Sequence, residues 1–249
     1  MRLEAIRCEL QDIQIFRALF LAELNTQIRY NARHERGWSD SYLLSVDSVP
    51  VGYGSVAGQE LSDRDTIFEF YIIPPYRKLA TQLFRKLIEA SGVKFIECQT
   101  NDFLLHSMTL EFSKSVSSSV ILFSDHTVTN LNIPELAFRR KTETDVLFEH
   151  KGEPEGSHVI EWNGEVIATG GFLLHYNFPF SDLYMEVKED ARRKGVGSYL
   201  IQELKKECYL AGRIPAARCN IENHPSKATL LKAGMKVSGF MLMGTLGVP

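Results

Sequence analysis

The chain is 249 residues long, 44% hydrophobic and 24% charged, with 28 Lys and Arg against 31 Asp and Glu for a formal charge of -3. This is the composition of a folded globular protein, of one large domain or two of about 120 residues, and its charge balance excludes the basic footprint of a general nucleic-acid binder. Cys8, Cys98, Cys208 and Cys219 are widely scattered, with no C-x-x-C pair, which excludes a disulfide framework and a zinc finger, and no metal site is expected.

The N-terminal MRLEAIRCELQDIQIF has no continuous apolar core, and runs such as ATGGFLL at 168–174 fall far below the roughly 20 residues that span a bilayer. We therefore expect a reduced, soluble, cytoplasmic protein without a membrane partner. Residues 2–8 read as a strand. From Asp12 a long amphipathic helix follows, with Ile13, Phe16, Leu19, Phe20 and Leu24 at helical spacing. After a polar stretch at 31–41, SYLLSVDSVPVGYGSVAG reads as a hairpin turning at Asp47 and Ser48. IFEFYII at 67–73 is a strand closed by Pro74 and Pro75, and residues 80–90 form a helix with Leu83, Phe84, Leu87 and Ile88 on one face. A strand (VKFIECQT), a short helix near 102–112 and a strand (SSSVILFS) complete the first half.

The second half repeats this order. HVIEWNGEVIATGGFLLHY is a hairpin with Asn163-Gly164 at its turn; DLYMEV is a strand, 197–211 a helix, IPAARCN a strand, 227–232 a helix and KVSGFMLMGTL a last strand. Laying Val46 over Trp162, an offset of 116 (162 − 46), also lays Leu83-Phe84 over Tyr199-Leu200. Two separate elements in one register imply a tandem duplication. The polar SDHTVTNLN before Pro134 marks the boundary, giving domains 1–130 and 131–249. The early helical region of the first half has only TDVLFEHK and the turn-rich KGEPEGS as its counterpart.

The segment MEVKEDARRKGVGSYLIQEL at 185–204 runs from a strand through a basic, glycine-containing loop into a helix. The first turn of a helix has N–H groups without intrahelical partners at the positive end of its dipole. Gly195 and Gly197 lack the Cβ that would hold phosphate oxygens away, and Arg192, Arg193 and Lys194 add positive charge. The spacing is neither a P-loop nor G-x-G-x-x-G. Alone, RRKGVG is equally an exposed turn with solvated charges.

In context, the order hairpin, strand, R-x-x-G-x-G, helix, strand, Asn, helix, strand over residues 157–246 resembles the GCN5-related N-acetyltransferase (GNAT) superfamily. The resemblance implies an α+β fold: two tandem acyltransferase domains, each a mixed, mostly antiparallel sheet flanked by helices. It implies acetyl-CoA as co-substrate, with its pyrophosphate on Arg192, Arg193, Lys194, Gly195, Val196, Gly197 and Ser198, and its pantetheine arm on backbone groups near Val187. It also implies a bulge that parts the central strand from IPAARCN, and Asn223 as a contact to the arm, although Asn223 is equally a helix N-cap. Lys232-Ala233-Gly234-Met235 resembles the family's K-x-G-F ending, but Leu230 stands where the family commonly has the tyrosine that protonates the leaving thiolate.

The implied reaction is transfer of the acetyl group to an amine by direct attack. Its base would come from Glu186, Tyr184 or Asp182, which share one face of a regular strand, with Glu186 first. Glu186 is equally a surface carboxylate or a salt-bridge partner of Arg192 or Arg193. His175, Glu222, His224 and Cys219 are weaker candidates, and Tyr176, Phe178 and Phe180 could line an acceptor pocket as well as pack a core. A small-molecule amine is the favoured acceptor, a protein or peptide amine stays open, and nucleic acid is not expected. A non-catalytic acyl-CoA-binding module is the alternative, favoured by Leu230. The first-half counterpart of the loop, PPYRKLATQLF, has no glycines in register at an offset of 115 or 116. We therefore expect a degenerate copy with a structural or acceptor-site role.

Overall fold

The computed structural model describes residues 1–24, 31–58, 60 and 62–247. The chain forms two compact units. The first contains the N-terminal residues to 119 together with 239–247, and the second contains 120–238. The chain thus returns to the first unit for its last strand, so neither unit follows a single cut at residue 130.

In the first unit, strand β1 (Leu3–Cys8) leads to α1 (Leu10–Glu23), started by a capping box in which the Glu9 N–H donates to Asp12 Oδ2 at 3.0 Å. Residues 25–30, the end of the helix expected from Asp12, lie outside the described residues. Ile13 and Phe20 are fully buried while Leu19 is 45% exposed. The polar stretch contains a short helix that hydrophobic periodicity missed, α2 (Asn31–Glu35). The hairpin β2 (Asp40–Val46) and β3 (Val49–Ala57) turns through Asp47 and Ser48, both at positive φ. Then come β4 (Thr66–Ile72), a 3-10 turn (Pro74–Leu79), α3 (Ala80–Ser91), β5 (Phe95–Gln99), α4 (Phe103–Phe112) and the start of β6 (Ser113–Asp125). The sheet order is β1-β2-β3-β4-β5-β12, where β12 (Met235–Leu246) supplies its residues 241–245 antiparallel to β5.

One face of this sheet buries Leu83, Phe84 and Leu87 of α3 against Phe70 and Ile72. The other packs Ile13 and Phe20 of α1 on Tyr53 and Tyr71. On that second face lies a buried charge. Glu69, 1% exposed, accepts from Arg17 Nε and Nη2 (3.1 and 3.2 Å) and Tyr53 Oη (2.9 Å), with His34 Nε2 at 3.0 Å. Burial alone would raise its pKa, but Arg17 and His34 reverse this and hold it well below the usual carboxylate range.

The second unit has the sheet order β6-β11-β10-β9-β8-β7. Its elements are β7 (Leu136–Arg140), β8 (His158–Trp162), β9 (Glu165–Leu173), β10 (Phe180–Val187), a 3-10 turn (Glu189–Ala191), α5 (Val196–Leu210), β11 (Ile214–Asn220) and α6 (His224–Lys232). Asn163 and Gly164, with φ of 51° and 80°, make the same left-handed two-residue turn as Asp47 and Ser48. No helix among the described residues is long and apolar enough to cross a membrane.

Removing one partner of a buried ion pair strands the other, at a cost of about 3–5 kcal/mol. Urea unfolding of Glu69→Ala is expected to show a loss of that size. Because the folded pKa is depressed, this contribution is present above the unfolded carboxylate value of about 4.3. It is lost as pH falls through the folded value, so wild type and variant should converge in acid.

Candidate active site

The site begins where a ladder ends. β10 and β11 run parallel and pair only at Phe180↔Ile214, Ser181↔Pro215 and Asp182↔Ala216. Beyond that rung β10 stays with β9 from Asp182↔Leu173 to Val187↔Ala168, while β11 stays with β6 from Ala216↔Ser124 to Asn220↔Val120. The two strands are drawn apart into a fork. The β9–β10 register is unbroken, so the bulge expected on β10 is absent; the irregularity lies between Ile160 and Glu161 instead. Lys188 N–H donates to the Ile167 carbonyl at 2.9 Å. By alternation the backbone groups of Leu183, Met185 and Val187 then face the fork.

At the mouth of the fork the chain turns into α5. Arg193 (φ 61°) and Gly195 (φ 85°) are both left-handed, and Gly195 is the N-cap. The first α5 bond runs from Tyr199 N–H to the Gly195 carbonyl (3.0 Å), so the N–H groups of Val196, Gly197 and Ser198 precede the ladder. A turn of this kind makes a concavity lined with N–H groups, suited to an anion such as the pyrophosphate of acyl-CoA. Arg193 and Lys194 are exposed beside it, Lys194 Nζ lying 5.2 Å from the Trp162 ring centroid. Arg192 is used differently from the expectation of a simple cationic contact: its Nε donates to the Val187 carbonyl at 2.9 Å and ties the loop to the end of β10.

Gly197 also has a packing reason to be glycine. A Cβ there would lie 3.2 Å from Met185 Cε and from Thr229 Cγ2. The Ser198 hydroxyl donates to the Thr229 carbonyl at 3.1 Å. Lys232 Nζ, not singled out by the sequence as an anion ligand, would sit 3.6 Å from a Cβ on Gly195. Asn223 caps α6, its Oδ1 accepting from Ser226 N–H at 3.1 Å. Leu230 is buried at 3% exposure.

The corresponding turn of the first unit keeps the clamp and lacks the left-handed residues. Arg77 Nε donates to the Ile72 carbonyl at 3.1 Å, which pairs Arg77 with Arg192 and Ile72 with Val187 at one offset of 115 (192 − 77 and 187 − 72). There the 3-10 turn runs straight into α3, the Ala80 N–H is taken by the Arg77 carbonyl, and Leu79 and Ala80 are buried.

Asp182, Tyr184 and Glu186 do share one face of β10, with Arg218 of β11 on the same side. Their surroundings separate them. Glu186 Oε1 accepts from Lys151 N–H (2.9 Å), and Oε2 from Gly152 (3.1 Å) and Glu153 (3.0 Å). Burial opposes its charge, but these three donors and His150 hold its pKa below the ordinary value. Its oxygens anchor the 150–153 loop, which His150 also fastens through Thr169 Oγ1 at 2.6 Å. Tyr184 Oη donates to the Glu155 carbonyl at 3.4 Å, and burial and Glu153 push its pKa up. Asp182, 6% exposed and on the last rung of the fork, has His175 Nε2 at 3.1 Å and Arg218 Nε at 3.6 Å from Oδ2.

Glu153, which the sequence showed only as part of a turn-rich loop, is raised by burial and by Asp182 and Glu186. Arg218 and Glu153 join the face through β11 register and a loop bonded to a distant strand, and no motif marks either. Among the weaker candidates, Glu222 and His224 are exposed, and Cys219 is a buried thiol raised by desolvation. Tyr176 is buried, Phe180 half-buried, and Phe178 is 73% exposed with Arg213 over its ring.

Comparison with known proteins agrees with this geometry. A profile described as an acetyltransferase (GNAT) domain matches residues 9–126, and one described as the acetyltransferase (GNAT) family matches 126–235. The chain belongs to the GNAT family and carries two of its domains in tandem. It is accordingly an acyltransferase of a family that uses acyl-CoA. No curated protein matches it by sequence. Among solved structures, a GNAT-family acetyltransferase from Colwellia psychrerythraea superposes with a TM-score of 0.76 at 13% identity, over 99% of this chain and 100% of that one. A tandem GNAT protein from the clavulanic acid biosynthesis pathway gives 0.59 at 11% identity over 100% of both. A GCN5-related N-acetyltransferase from Sphaerobacter thermophilus gives 0.58 at 12%, over 99% and 97%. At these identities the likeness speaks for the fold alone.

Glu186→Ala removes three charge-assisted bonds to one loop, each worth about 1.5–3 kcal/mol when an ionised acceptor is involved. Hydrogen exchange should show faster amides at Lys151, Gly152 and Glu153, with the core strands unchanged.

Proposed function

We propose that the second unit binds acetyl-CoA and transfers its acetyl group to a primary amine by direct attack. The observation that carries this reading is the left-handed turn at Arg193–Gly195, which leaves the N–H groups of Val196, Gly197 and Ser198 ahead of the α5 ladder at the mouth of the fork where β10 and β11 part. Acetyl-CoA supplies an activated thioester. The N–H groups of Val196, Gly197 and Ser198, with Arg193, Lys194 and Lys232, hold its pyrophosphate, and Arg192 fixes the loop to β10. Leu183, Met185 and Val187 offer backbone hydrogen bonds along the pantetheine arm, and Asn223 shapes the start of α6 beside it.

An amine enters from the face carrying Asp182, Tyr184 and Glu153, where the carboxylates of Asp182 and Glu153 favour an ammonium. Of the three expected bases, Asp182 is the one set on the last rung of the fork, with the His175 imidazole beside it. Glu186, with its oxygens committed to backbone donors, positions the loop. Leu230 leaves no hydroxyl to protonate the thiolate, so that proton comes through solvent. A degenerate first unit is supported by its helical turn and, at the offset of 115, by Ala80 and Gln82 in place of Gly195 and Gly197. A small-molecule acceptor remains the favoured class.

Leu230 also supports a second reading, an acyl-CoA-binding module without turnover. Thermal unfolding tests binding: acetyl-CoA at 100 times its dissociation constant adds about 2.7 kcal/mol. That shift should be lost in Gly197→Asp and, since Gly197 is closely packed, also in the exposed double variant R193E/K194E. Release of CoA thiol with a panel of amines then separates transferase from binding module. No shift with native protein would sink both readings.

A further inference from the structure

The imidazole of His175 lies on the acceptor side of the fork, and its surroundings resemble those of an oriented base. Its Nε2 is 3.1 Å from Asp182 Oδ2, and this nitrogen is buried without a well-aligned hydrogen bond. Its ring stands edge-on to Tyr176, with centroids 4.9 Å apart at 88°, and Tyr176 is 1% exposed. The ring plane is thus set by a residue that cannot move freely. The His175 side chain itself is 24% exposed, within reach of a substrate, whereas Asp182 is nearly enclosed. Asp182 also sits on the rung where β10 and β11 part.

An enclosed carboxylate behind a reachable imidazole is the arrangement by which an aspartate fixes a histidine's tautomer and stabilises its charged form. An imidazole nitrogen with an available lone pair can take a proton from an ammonium held against it. Catalytic hydrogen bonds are often misaligned before substrate binds and tighten afterwards. The charged groups facing the pair are Arg218, whose Nε is 3.6 Å from the same Oδ2, and Glu153, which interacts with Asp182.

We infer that His175 is the general base of acyl transfer and that Asp182 is its positioning residue. This rests on the transferase reading above. Asp182 Oδ2 engages Nε2–H, leaving Nδ1 to take a proton from the incoming ammonium. The neutral amine forms the C–N bond as the C–S bond breaks. The proton taken by His175 is the one released to solvent, and the second amine proton passes through solvent to the thiolate, which leaves as CoA thiol. The products are an amide, a thiol and one proton, with no oxidant or reductant needed.

The experiment compares wild type, His175→Gln and Asp182→Asn, using as acceptor the best amine from a panel of alkyl, aralkyl and amino-acid amines, and then hydroxylamine, which is unprotonated at neutral pH. His175→Gln should lower kcat/KM for the alkaline amine by about 10²-fold or more and abolish the acidic limb of its pH profile. It should leave the acetyl-CoA thermal shift intact and lose much less activity with hydroxylamine. Asp182→Asn should shift that limb rather than remove it. Wild-type kcat/KM and pH profile in His175→Gln, or an equal loss with both acceptors, would overturn the inference. Failure of the parent reading looks different: the wild type itself would release no thiol with any amine.

Discussion

The three-rung ladder between β10 and β11 is the constraint on which the second unit's site depends. Each strand is committed to its other neighbour, β10 to β9 through Val187 and β11 to β6 through Asn220, and the two sets of hydrogen bonds pull in different directions. The fork is therefore held open by the sheet itself rather than by a flexible loop. Its open edge would be a row of unsatisfied backbone groups in any segment away from water. Partial satisfaction comes from Arg192, whose Nε closes the Val187 carbonyl; the rest is left for a ligand or solvent.

The first unit contains the same constraint with a different outcome. β4 and β5 pair only at Thr66↔Phe95 and Ile67↔Ile96, and Arg77 clamps Ile72 as Arg192 clamps Val187. The divergence lies in the following residues. Pro74 and Pro75 start a 3-10 turn, and without a left-handed residue the chain continues into α3 with the Ala80 N–H already engaged by the Arg77 carbonyl. On the opposite face, α1 and α2 bring Arg17 and His34 onto Glu69. The equivalent region of the second unit is a loop fastened to Glu186 by N–H groups.

Three carboxylates near one face of the second sheet differ through environment alone. Glu186 is held ionised by backbone donors, Glu153 is raised by burial and like charge, and Asp182 is set against an imidazole and a guanidinium. Residue type does not separate them. Partners do, and those partners come from a loop, from the β9–β10 connection and from β11.

The element order, both left-handed hairpin turns, the repeat and the R-x-x-G-x-G turn were legible in the sequence, because periodicity, turn chemistry and glycine spacing are local properties. The amphipathic face Leu83–Phe84–Leu87 needed nothing beyond helical geometry. The helix at 31–35 was not legible, since its one buried side chain, His34, is polar and gives no apolar period. Nor was the return of the last strand to β5, because strand pairing joins residues far apart in the chain and leaves no local mark. The sequence by itself marked the glycine turn before α5 as a candidate anion site and determined which face of β10 carries carboxylates. Only the tertiary structure decided that Arg192 serves the backbone, that Glu186 is spent on a loop and that His175 meets Asp182, because hydrogen-bond partners are assigned by three-dimensional approach and not by spacing along the chain.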